Sequence, residues 1–124
     1  MIVIREKQMK SLSEVSREEF LKRMEVHVKQ HFEPVVAPLT NEQIRQVIER
    51  QWKRAEGYGL TSELGVCTWL NIVFTLGEDF EKQAVYPWAV ILMKNDEIAE
   101  SGKIEHLNQN VERELTKALE RERR

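Results

Sequence analysis

The sequence predicts an all-α protein: a compact bundle of about five helices around a buried central helix over residues 62–76. Three observations carry that expectation. The stretch Thr61–Gly77, TSELGVCTWLNIVFTLG, has no charged side chain between Glu63 and Glu78, in a chain that is 32% charged. Elsewhere apolar residues recur at three- and four-residue spacing, the period of a helix with one buried face. Capping patterns precede several of these runs, and prolines and glycines separate them.

At 100° per residue, Val66, Leu70, Val73 and Phe74 share one face of the central segment and Trp69, Ile72 and Leu76 the next. Only Thr68, Asn71 and Thr75 form a polar strip. A helix apolar nearly all round is expected to be buried. Thr61 is the expected N-cap, and Gly77 the residue that ends the helix at positive φ.

In chain order, Ile2, Val3 and Ile4 form a β-branched run too short to argue for a sheet. A helix is expected from Arg5, with Met9, Leu12, Phe20, Met24 and Val28 on its apolar side. Ser16 and Glu19 have capping-box spacing, so it could restart there. Pro34 is expected to end it, and Pro34–Leu39 reads as a stiff connector. Thr40 and Gln43 form a second capping box, followed by an apolar stripe of Ile44, Val47, Ile48, Trp52 and Ala55. Gly57 and Gly59 bracket Tyr58 at a tight corner. Glu78–Tyr86 has no period and reads as a loop in which Phe80 alone is buried. Pro87 suits the first turn of a short helix through Trp88, Val90, Ile91 and Leu92. Ser101 is the expected cap of a last helix with a narrow seam of Ile104, Leu107, Val111, Leu115 and Ala118.

With 124 residues and 14.7 kDa the chain reads as one domain, residues 1–124. A chain of that length buries roughly two-thirds of the surface exposed when unfolded. The single cysteine, Cys67, has no partner within the chain. With an apolar start too short for a signal peptide, this leads us to expect a cytoplasmic protein. The net charge of −2 comes from interspersed residues, 19 basic and 21 acidic, so no basic footprint for nucleic acid is expected. The central segment falls short of the ~20 apolar residues that span a bilayer, so no membrane partner is expected.

Candidate chemistry is sparse, and we expect no enzyme and no cofactor. His27 and His31 are four apart on a predicted helix, which places two imidazoles on one face where they could ligate a metal. Val28 stands where a zincin motif requires glutamate, and no third ligand is near in sequence, so the pair reads first as ordinary histidines. Cys67, in an apolar helix, reads as a small hydrophobe. Glu78, Asp79 and Glu81 read as solvated loop carboxylates, not an acid–base pair. Tyr86 and Trp88 flank Pro87 at a loop-to-helix junction and are the candidate partner-binding residues.

Several stretches together resemble a group of small helical bacterial proteins encoded in type VI secretion clusters beside PAAR-type spike proteins and toxic effectors. They are MIVIREKQM at the start, HVKQHF at His27–Phe32, RAEGYGLTSELGVC at Arg54–Cys67, LGEDF at Leu76–Phe80 and YPWA at Tyr86–Ala89. The resemblance covers roughly residues 1–92 and brings no catalytic motif. It implies an adaptor or chaperone for a secreted effector or PAAR-type spike protein, with a second small chaperone as a possible companion. The alternative is an immunity protein that neutralises a cognate toxin. A small metal-dependent enzyme using His27 and His31 is the third reading.

Overall fold

The computed structural model describes residues 14–123, and among them the protein is all-α, with six α-helices, one 3₁₀ turn and no strand. We number them α1 (Glu14–His31), α2 (Glu33–Val36), α3 (Asn41–Gly57), α4 (Glu63–Leu76), α5 (Pro87–Met93) and α6 (Glu100–Glu122), with η1 (Phe80–Lys82) between α4 and α5. The helix beyond the expected five is α2, a single turn in the presumed connector. Pro34 opens this turn instead of merely closing α1, because its fixed φ and missing N–H suit a first helical turn. Val36 is buried by it while Val35 faces solvent. The expectations on Ile2–Ile4, Arg5, Met9 and Leu12 lie outside the described residues.

The chain divides after Glu78 into two compact units. In the first, α1 and α3 pack on each other and on α4. Phe20, Met24 and Val28 of α1, Ile44, Ile48, Trp52 and Ala55 of α3, and Val66, Trp69, Leu70, Ile72, Val73 and Phe74 of α4 are all buried. Phe20 meets Trp52 edge-on with centroids 4.8 Å apart, and the Arg17 guanidinium lies 4.1 Å above the Trp52 ring. Thr40 and Gln43 form the expected capping box, its two bonds 3.1 and 2.9 Å. Ser16 instead lies inside α1, so the helix does not restart there.

The N-terminal end of α4 differs in detail from the sequence reading, and its C-terminal end agrees with it. Ser62, not Thr61, is its N-cap, with Oγ accepting from Gly65 N at 2.9 Å. Gly77 closes the helix at φ 110° and ψ 156°, a region open essentially to glycine alone. Thr68, expected on a polar strip, is buried, with its hydroxyl bonded to Leu64 O at 2.8 Å. A hydroxyl that donates to its own preceding turn can be buried without an outside partner.

Polar side chains tie the unit together. Trp69 Nε1 donates to Gln51 Oε1 (3.1 Å), Gln51 Nε2 donates to Glu78 Oε2 (2.6 Å), and Arg50 grips Glu78 through Nε and Nη2 at 3.1 and 2.9 Å. Gln51 is fully buried, so its amide is an apolar-environment hydrogen-bond relay, not surface decoration. At the surface Arg45 joins Glu18, Glu25 and Glu49. Its guanidinium holds the Glu18 carboxyl below the usual range, mainly by hydrogen bonding.

Leu70→Ala or Phe74→Ala should destabilise the protein by about 2–5 kcal/mol in chemical denaturation, the cost of emptying a packed site. Gln51→Ala should cost about 1–3 kcal/mol, because it removes both bonds of a buried amide. A loss below about 0.5 kcal/mol for Gln51→Ala would show that the relay contributes nothing.

Candidate partner-binding surface

The second unit begins with a tight turn. Asp79 adopts the left-handed conformation (φ 65°), and bonds from Lys82 N to Asp79 O (2.9 Å) and Gln83 N to Phe80 O (3.1 Å) wind η1. The loop reading of this stretch holds apart from this one 3₁₀ turn. The i to i+3 ladder buries Phe80, as expected, and also Glu81, which alternation-free sequence gave no reason to place inside. Glu78 is not a free loop carboxylate either, being clamped by Arg50 and Gln51.

Tyr86 N bonds Gln83 O at 3.0 Å, and Pro87 then opens α5 as the sequence predicts. Ala89, Leu92 and Met93 form the buried side of this short helix. Trp88 and Ile91, three residues apart, are neighbours on another side. Ile91 is 69% exposed and Val85, just before the helix, is 61% exposed. Trp88 has its ring centroid 6.2 Å from Tyr86 and 6.3 Å from Phe80. Tyr86 and Trp88 are therefore brought together, each partly exposed, against the buried Phe80. The Trp88 indole N–H is shielded from solvent and has no acceptor among the described residues.

Val85 and Ile91, exposed aliphatic residues close in sequence to this pair, were missed as candidates. For Ile91 the signal was present: in a helix of seven residues, a buried side at 89, 92 and 93 turns 91 outward. Val85 had no such signal, since a turn has no period.

The far end of α5 is fixed from α6. Lys103, itself buried, donates from Nζ to Met93 O at 3.0 Å, where a cation meets the negative end of the helix. Ser101 is not the cap of α6; the helix starts at Glu100 after Ala99, which makes no side-chain cap bond. Gly102 allows a close pass, because a Cβ there would lie 2.9 Å from the Ile98 side chain.

His27, His31 and Cys67 fall in the first unit. The His27 and His31 rings lie close but tilted by 46°, with centroids 4.6 Å apart. His27 Nε2 lies 2.6 Å from Asn71 Oδ1, so one imidazole bridges α1 to α4. Among the described residues no group of three or more His, Cys, Asp or Glu side chains is placed to hold a metal ion. Burial pushes the Cys67 thiol up, away from the reactive thiolate. No helix among the described residues is long and apolar enough to cross a membrane. Comparison with family models, with characterised proteins and with solved structures returned no match.

Cys67 should react with a thiol reagent near pH 8 more slowly in the folded protein than after denaturation, by tenfold or more. Folding favours the neutral thiol, so this contribution to stability should fall as pH rises through the unfolded value of about 8.5. Equal labelling rates in the two states would show that the thiol is not sheltered.

Proposed function

We propose that this chain is a non-catalytic protein-binding adaptor or chaperone acting in the cytoplasm of the producing cell. Its partner on this reading is a secreted type VI effector or a PAAR-type spike protein, the context implied by the resemblance in sequence. The observation that carries the reading is the cluster of Val85, Tyr86, Trp88 and Ile91 on a short, well-anchored turn. Two large aliphatic side chains stand open beside two aromatic rings, and such a patch with polar surroundings is the common form of a binding hot spot. In the first unit, His27 is bonded to Asn71, and Glu78 is held by Arg50 and Gln51.

A partner held by this patch meets mainly apolar and aromatic surface, so its binding should survive moderately raised salt, which screens exposed charge. Val85→Asp and Ile91→Asp alter solvent-facing positions and should leave the helical circular dichroism unchanged while weakening capture of the effector or spike protein at least tenfold. The decisive test uses a deletion strain carrying a catalytically dead effector. An adaptor is still needed there, so accumulation or export of the inactive effector should drop. Normal accumulation and export without this chain would overturn the adaptor reading and favour immunity, which has nothing left to neutralise.

A further inference from the structure

We propose that the distal half of α6 is a self-association surface, which pairs antiparallel with the same helix of a second copy. Only Lys103 and Leu107 of this 23-residue helix are buried. Beyond them the apolar stripe continues into solvent: Leu115 is 46% exposed, Leu119 is 58% exposed, and Ala118 beside them is exposed as well.

The charges that flank this stripe identify the occupant. At helical spacing, Glu112 and Arg123 lie along one flank, and Glu114 and Arg121 along the other. Each flank is thus acidic at its N-terminal end and basic at its C-terminal end. Both pairs are centred on the same point, between Lys117 and Ala118. When two such helices pack antiparallel about that point, like flanks face each other. Glu112 then stands level with Arg123 of the second copy, and Glu114 with Arg121 of the second copy, each relation occurring twice. The same register brings Leu115 beside Leu119 of the second copy and sets the two Ala118 residues against each other at the axis. A small residue there lets the helices approach closely. Parallel pairing does the reverse: it sets Glu114 against Glu112 and Arg121 against Arg123, an arrangement of like charges.

Not every member of this set is equally free. Glu114 is largely covered and lies 3.4 Å from Lys117 in its own chain, so Glu112 and Arg123, both exposed, are the leading pair. A contact of about 20 Å of helix is small beside a standard interface of roughly 1,600 Å², which makes the dimer weak and dependent on concentration.

Sedimentation equilibrium of the full chain from micromolar to near-millimolar concentration tests this. The mass should rise from that of a 14.7 kDa monomer towards twice that value. Leu115→Glu with Leu119→Glu should abolish the rise while the helical circular dichroism is kept. Glu112→Arg alone and Arg123→Glu alone should each weaken association several-fold, and the two together on one chain should restore it. In a Cys67→Ala background, Ala118→Cys should give a disulfide-linked dimer on mild oxidation, and Arg113→Cys, on the opposite face, should not. A chain that stays monomeric throughout, a dimer indifferent to the leucine changes, or a double charge swap no tighter than its single components would each overturn the proposal.

Discussion

The constraint on which the first unit depends is the absence of charge along α4. A segment with no ionic side chain from Leu64 to Gly77 must be kept from water, and its backbone carbonyls and few polar side chains must then be satisfied from within. The structure meets each demand with a specific partner. Thr68 and Thr75 turn their hydroxyls back to the carbonyls of Leu64 and Asn71. Asn71 is reached by His27 from α1. The indole of Trp69 requires an acceptor, which draws Gln51 of α3 into the interior. The buried Gln51 amide requires an acceptor for its own N–H, and Glu78 serves as that acceptor while Arg50 balances its charge. One buried N–H thus determines the identity of three further side chains on two other segments.

This dependence separates what was legible in the sequence from what was not. Periodicity speaks about faces, and the face assignments for Phe20, Met24, Ile48, Trp52, Leu70 and Val73 agree with their burial. Caps speak about ends, and the Thr40–Gln43 box forms from two members only three residues apart. Ser16 and Glu19 have the same spacing but lie inside α1, so spacing alone does not mark where a helix begins. The Trp69, Gln51 and Glu78 relay was invisible for a different reason. It joins residues far apart in the chain, and a glutamine between an arginine and a tryptophan on a charged helix carries no mark of burial.

The candidate surface was legible in part, on similar grounds. Tyr86 and Trp88 drew attention by residue type at a proline junction, and the fold does set them side by side. Ile91 and Val85, which give the patch its exposed apolar area, drew none, because aliphatic residues near a helix start are ordinarily core. The burial of Glu81 and Lys103 was hidden as well. Lys103 illustrates why: a lysine one turn into a helix is unremarkable until Met93 O, at the end of another helix, is brought to its Nζ.

A contrast between the two units bears on the adaptor reading. In the first, the indole N–H of Trp69 is buried and answered by a side chain that is itself answered. In the second, the indole N–H of Trp88 is buried with no acceptor among the described residues, although a net hydrogen bond is worth about 1 kcal/mol and an unmade one costs about 1–3 kcal/mol. A phenylalanine there would avoid that cost and keep most of the ring contact with Tyr86 and Phe80. Tryptophan at a surface rimmed by Val85 and Ile91 gives a docking protein a broad, stiff apolar anchor with a polar edge, which is the property that enriches this residue in interfaces. On the adaptor reading, the N–H with no acceptor among the described residues would belong to the surface and not to the core.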